Sequence, residues 1–489
     1  MVVNSIRFLL FFVIVFTAYY ALQRRSAKWQ NLLLFIASYV FYGIADIKMI
    51  PLLFLATAIF YGLGIVIERN NDTNPRGASL LTTLGVVIGI GILFYFKYLG
   101  FFVEQFSALL GAIGIGSGKI VLSILMPLGI SFFTFRLISY PIEIHRRHIS
   151  ASHDFVAFGT YIAFFPTILS GPIDRPKFID QFRNTRIFNY EMATDGCRQI
   201  LWGMFTKMVI ADNLAKITDA VWADYNHQTA STLLIVAFLY LIQMYADFDG
   251  YSNMAIGVGK ILGFGITRNF NHPFLSRNVA EYWRRWHISL TSWLTDYVFM
   301  PLSVRFRDWG KWGLMVAIVS NMLLVGLWHG ANWTFALFGL YHGLLFIPLV
   351  FNGSFGKNKK LQATSKGMPK IGDSLHMLLT FCLVSFGLII FRANSINDAF
   401  GYIARMIDTS IVSMPEFGIQ SYEMVILIIS IALLFCTEWF QRDKEYALQF
   451  KTFGRTRMTW LPYILDYSVI IAIFIAGDFG DNQFIYFQF

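Results

Sequence analysis

The sequence predicts an all-α integral membrane protein, a multi-pass bundle of about 10–13 embedded helices. Two observations carry this. Hydrophobic residues make up 56% of the chain and charged residues only 14%, where soluble domains lie near ~45–50% and ~25%. A water-soluble globule cannot hide that much apolar surface, because some of every surface faces solvent. The apolar residues are also gathered in runs close to the ~20 residues that a helix needs to cross hydrocarbon. Mean hydropathy is +0.56. Coiled coil, collagen, disorder and small disulfide scaffolds are excluded by the same figures.

The elements follow in order. An apolar run to about Leu22 opens the chain after Arg7. It lacks a convincing small-residue cleavage site and more apolar runs follow, so it reads as the first span and not as a signal peptide. Further clear runs are 30–46, 49–67, 78–97, 231–246, 313–328, 332–351, 375–393, 422–440 and 461–477. Three less regular stretches, 119–142, 155–170 and 196–222, contain Pro127, Pro141, Pro166 and internal charges. They read as spans, half-spans or re-entrant pieces. The water-like stretch 352–374 is a connector. No boundary appears, so 1–489 reads as a single domain with an extracytoplasmic tail at 478–489.

Orientation comes from loop charge. Arg24, Arg25 and Lys28 place the first loop in the cytoplasm. Lys357, Lys359, Lys360, Lys366 and Lys370 mark another cytoplasmic loop, as do Arg442, Lys444, Lys451, Arg455 and Arg457. The last span then leads outward. The net charge of +10 is explained by such loops, and no basic stripe or stacking motif points to nucleic acid. Cys197, Cys382 and Cys436 show no metal or redox spacing and read as buried hydrophobes.

Several constellations could carry chemistry. Residues 281–297 include Trp283, Arg284, Arg285, Trp286 and His287. Placed on a helix at about 100° per residue, they give an aromatic face and a polar face. The pattern alone favours a core role for His287. Leu327-Trp328-His329-Gly330 falls between two apolar runs, which makes a hairpin with His329 at its turn. A titratable residue at membrane depth is costly and by default signals function. Ser170–Pro176 reads as a turn, since two prolines and a glycine end any helix there. Asp247 and Asp249 do not share a helical face, so no paired acid/base site is implied. Phe484–Phe489 reads by pattern alone as an aromatic anchor. No convincing set of metal ligands is seen.

Together, Ser170–Pro176, Tyr282–Leu294, Leu327–Trp333, the Ser-Tyr-Val-Phe-Tyr run ending at Tyr42 and the Phe-x-Tyr-x-x-Phe ending at Phe489 resemble the membrane-bound O-acyltransferase family. The nearest branch is the bacterial one for alginate O-acetylation and teichoic-acid D-alanylation. The resemblance implies a bundle around a central tunnel, in the bacterial inner membrane. Its catalytic histidine corresponds to His329 and a second histidine to His287. Tyr486 matches a proposed acyl carrier. The donor would be acetyl-CoA or another acyl thioester, with no tightly bound cofactor. The acceptor would be an exported polysaccharide, served by a secreted or membrane-anchored serine esterase-like partner. Arg284, Arg285, Arg305 and Arg307 are expected contacts for donor phosphates, although cytoplasmic charge explains them equally well. The rival readings are a polysaccharide or lipid transporter, an acyltransferase for a lipid or protein hydroxyl, and a haem carrier using His329 and His342.

Overall fold

The structure is a computed structural model, and it describes residues 3–114, 122, 124–356, 368–450, 460–480 and 484. Among these, helices dominate and no β-strand occurs. All ten clear apolar runs form helices. Seven helical runs are long and apolar enough to cross a membrane: Ala27–Thr73, Pro75–Ala112, Ala230–Ile261, Arg307–His329, Trp333–Phe351, Ile371–Arg392 and Ser421–Phe440. Ile6–Ala21 and Leu461–Ala476 are shorter apolar helices. This is an integral membrane protein. Lys357, Lys359, Lys360, Lys366, Lys451, Arg455 and Arg457 lie outside the described residues.

The described chain forms two compact units. The first comprises Met1–Cys197 and Ala255–Thr267. Its helices are α1 (Ile6–Ala21), α2 (Ala27–Asp46), α3 (Ile50–Thr73), α4 (Pro75–Leu93), α5 (Leu99–Ala112), α6 (Ile130–His145), α7 (Phe155–Ala163) and the first half of α8 (Tyr190–Met204). Arg136 is buried in it. Its guanidinium donates to the carbonyls of Tyr161, Ile162 and Pro172 and to the Thr167 hydroxyl. A buried charge needs such partners, and they come from the end of α7, from Thr167 in the chain that follows it and from Pro172 within Ser170–Pro176. Asp174 closes the turn by accepting from the Thr267 N–H and hydroxyl at 2.9 and 2.7 Å. That motif is thus a structural knot, the reading its prolines favour.

The second unit comprises Arg198–Met254 and Arg268–Phe489. Here α8 runs into a π-helical stretch, Phe205–Ala211, and then α9 (Asp212–Ala223). The long α10 (Ala230–Ile261) follows. After it come α11 (Val279–Arg285), α12 (Ile288–Leu294), α13 (Met300–Arg305), α14 (Gly310–His329), α15 (Trp333–Leu344), α16 (Ile347–Phe351), α17 (Ile371–Arg392), α18 (Ile396–Arg405), α19 (Ser421–Phe440) and α20 (Leu461–Ala476).

Helices α14 and α15 form the hairpin that the sequence predicts. They pack backbone to backbone: a Cβ on Gly326 would lie 2.1 Å from the Phe335 carbonyl oxygen, and one on Gly339 2.3 Å from that of Met322. Small residues permit this approach between membrane helices. Asn332 caps α15, its side chain accepting from the Thr334 N–H at 3.1 Å.

Candidate active site

His329 is the last residue of α14, and Gly330 takes the chain out in an extended conformation. The imidazole is 6% exposed. Its ring packs edge to face on Phe391 at 4.9 Å and on Trp328 at 5.1 Å. Phe335 and Phe338 complete an aromatic wall at 6.4 and 6.3 Å.

His287 arrives from a different element. The single helix expected over 281–297 does not form: the chain makes α11, an elbow, α12 and a π-helical stretch at Thr295–Phe299. Trp286 is extended and His287 is left-handed, with φ 45° and ψ 51°. Tertiary hydrogen bonds override the helical period here. Asn271 N–H donates to the Arg285 carbonyl at 3.0 Å, and Ile288 N–H donates to that of Asn269 at 2.8 Å. The Asn269 side chain also accepts from the Ser289 hydroxyl at 2.6 Å and donates to Ser252 on α10. The elbow is therefore stitched to the chain that follows α10. His287 is 1% exposed, and burial pushes its imidazole down to about 3.

One indole joins the two histidines. Trp328 meets the His287 ring at 5.4 Å and 77°, and the His329 ring at 5.1 Å and 83°. Two residues 42 positions apart in the chain thus pack on one buried tryptophan. Phe248 of α10 also packs on His287, edge to face at 4.6 Å.

The C-terminal tail reaches the same wall. Phe484 is fully buried. It stacks on Tyr251 at 4.8 Å and packs on Phe248 at 5.6 Å. Tyr486 lies outside the described residues.

The four arginines divide. Arg285 donates to Glu281 at 2.9 Å and to the Asn271 carbonyl at 3.1 Å, which makes it part of the elbow's scaffold. Arg284, Arg305 and Arg307 are exposed, the last beside Asp308 at 3.5 Å. His342 lies on α15, beyond the Gly330 break, and accepts from the Trp283 indole N–H at 3.3 Å.

Sequence reasoning missed one buried group. Lys207 donates to Asp212 and pairs with Asp247, each at 2.7 Å, with all three side chains nearly inaccessible. The available signal was a lysine and an aspartate inside the apolar stretch 196–222. As the spacing predicts, Asp247 and Asp249 diverge: Asp249 bonds Asn253 at 2.8 Å instead. Among the described residues, no cluster of three or more His, Cys, Asp or Glu could hold a metal ion.

A family profile described as membrane-bound O-acyltransferase matches residues 143–351, which contain both histidines. The chain is 37% identical over 404 residues to the probable alginate O-acetylase AlgI of Pseudomonas aeruginosa, covering 82% of this chain and 73% of that protein. It is 32% identical to the protein of that name in Pseudomonas putida, over the full length of both. It is 29% identical to the peptidoglycan O-acetyltransferase of Helicobacter pylori, covering 85% of this chain and 81% of the relative. The chain belongs to the membrane-bound O-acyltransferase family. It is an O-acyltransferase.

Proposed function

We propose that this acyltransferase takes a short acyl group, acetyl by preference, from a cytoplasmic thioester such as acetyl-CoA. It passes the group across the bacterial inner membrane for O-acetylation of an exported or cell-envelope polysaccharide. The observation that carries the mechanism is the shared indole: Trp328 packs edge to face with both His287 and His329.

An alcohol attacks a thioester poorly until its proton is removed in the transition state. His329 takes that proton as the hydroxyl oxygen bonds to the carbonyl carbon, a role worth roughly 10²–10⁴ in rate. The C–S bond then breaks, and the proton passes to the departing thiolate, giving a thiol. His287 donates a hydrogen bond to the carbonyl oxygen as negative charge develops there. Its depressed pKa keeps the ring neutral, with one N–H to give.

Tyr486 is the first acceptor in this reading. Phenol and thiol acidities are close, ~10 and ~8.5, so an aryl ester keeps much of the thioester's transfer potential. What supports the tail's part is Phe484, two residues upstream, which is buried against the neighbours of His287. A secreted or membrane-anchored partner of serine-esterase type completes transfer to the polymer from the outer side. Arg284, Arg305 and Arg307, all exposed, are the arginines available to the donor's phosphates.

The test is peptide mass spectrometry after incubation with isotope-labelled acetyl-CoA. Wild type, His329→Ala and Tyr486→Phe are run together. A labile acetyl on Tyr486, lost in both variants, is the expected result. His329-dependent thiol release without label on any residue would discard the tyrosyl ester and keep the base. Undiminished thiol release by His329→Ala would overturn the mechanism.

A further inference from the structure

The junction between α20 and the tail is fastened at several points. Asp478 N–H donates to the Met208 carbonyl at 3.0 Å. The Asn213 side-chain amide donates to the Ala476 carbonyl at 2.8 Å and to the Val209 carbonyl at 3.0 Å. Lys216 reaches the Asp478 carboxylate at 3.0 Å and the Asn213 amide oxygen at 3.2 Å. The carboxylate's other oxygen accepts from the Gly480 N–H at 2.9 Å. Met208 and Val209 belong to the π-helical stretch Phe205–Ala211. Such stretches are rare in helices and are found at functional sites more often than chance.

That stretch is itself tied to the pocket. Lys207, inside it, pairs with Asp247 on α10. The next residue, Phe248, packs on both His287 and Phe484. The chain leaving α20 is therefore held at two places: at Ala476–Asp478 and again at Phe484. A tethered group gains effective concentration when its tether matches the span.

We propose that Asn213, Lys216 and Asp478 form a clamp that positions the C-terminal tail at the histidine pocket. They are positioning residues, set apart from the groups that touch substrate. The inference rests on the reading that the tail takes part in transfer, but it has a readout of its own.

The full-length protein in lipid nanodiscs is the material. Asn213→Ala, Lys216→Asp, Asp478→Lys and the paired reversal Lys216→Asp/Asp478→Lys are compared with wild type. One buried hydrogen bond corresponds to about 2- to 10-fold. Lys216 is half exposed, so its ion pair alone contributes less. Acyl transfer should fall about 5- to 10-fold in Asn213→Ala and in each single reversal, through kcat and without change in the donor KM. The paired reversal should recover most of the rate. Limited chymotrypsin cleavage after Phe484 supplies the second readout: slow in wild type and the paired reversal, fast in the single variants. Thermal midpoints close to wild type identify variants whose bundle is intact.

Single reversals that keep both the wild-type kcat and the slow cleavage overturn the clamp. Transfer at the wild-type rate by Tyr486→Phe overturns the relay instead, and cleavage alone then decides the clamp.

Discussion

His287 combines a reactive side chain with an unusual backbone, and replacing it separates the two. At φ 45° and ψ 51° a residue with a Cβ bears roughly 1–2 kcal/mol of left-handed strain. Glycine escapes this, and asparagine tolerates it better than alanine does. The ring is 1% exposed and packs on Phe248 and Trp328. His287→Ala therefore leaves a cavity while keeping the strain, for a loss of about 2–4 kcal/mol. His287→Gly leaves a similar cavity and recovers about 1 kcal/mol of strain. His287→Asn lies between wild type and alanine and retains an amide donor. If the imidazole steadies the developing oxyanion, kcat falls about 10²–10³-fold in both the Ala and Gly chains, and less in Asn. Stability should rank Gly above Ala. The assays are thiol release from acetyl-CoA in nanodiscs and thermal midpoints in detergent. A Gly variant with the wild-type kcat would refute the reasoning, because the position would then matter only for its backbone.

Three further outcomes follow from the packing. Gly326→Ala sets a Cβ 2.1 Å from the Phe335 carbonyl oxygen, where backbone faces backbone and little can yield; a loss of about 1–3 kcal/mol or more is expected, read as reduced yield of monodisperse protein. His342→Phe leaves the Trp283 N–H without its acceptor and should cost about 1–3 kcal/mol, whereas His342→Gln restores an acceptor and most of the thermal midpoint. Burial raises the Asp212 carboxyl from 3.8 to about 7, with Asp247 and Asp478 adding to it against Lys207. A carboxyl raised on folding contributes stability at low pH that is lost as pH rises through its folded value. The midpoint should fall between about pH 4 and 7 in wild type and level off above that, and the decline should vanish in Asp212→Asn.

The membrane helices were legible because lipid sets one length and one composition for every span. Each clear apolar run became a helix, and the hairpin around His329 followed from two such runs and a glycine. The elbow at His287 was not legible. Its cause is Asn269 and Asn271, more than a dozen residues upstream, whose hydrogen bonds to the chain around Arg285 and Ile288 outweigh a local period. Nor could a helical wheel reveal the π-helical stretch at 205–211, since a one-residue widening shifts the period too little to read. The Lys207 cluster was half visible: charges inside an apolar run demand partners, but the partner on α10 is set by packing alone. The pairing of Trp328 with both histidines needed the fold, although the motif placed it beside His329.

The nature of the acyl group can be argued from the same wall. Among the described residues, the ring neighbours of His329 include Trp328, Phe335, Phe338 and Phe391, bulky rings that favour a small apolar group. On the proposed mechanism the carbonyl under attack must sit beside them. A D-alanyl group brings an ammonium, and desolvating a charge against such a wall costs several kcal/mol. Cation–π attraction of a desolvated ammonium returns about 2 kcal/mol or somewhat more, less than that cost, so the net is unfavourable. An added methylene is far less well discriminated, at about 10- to 200-fold. The acetyl thioester should therefore exceed the D-alanyl thioester by at least ~10² in kcat/KM, with propionyl between them. Replacing Phe391 by leucine should relax the propionyl penalty and leave the D-alanyl penalty in place, because it adds room without adding a counter-charge. Equal use of acetyl and D-alanyl thioesters by wild type would refute the argument, and it would require a carboxylate or water within reach of the acyl chain.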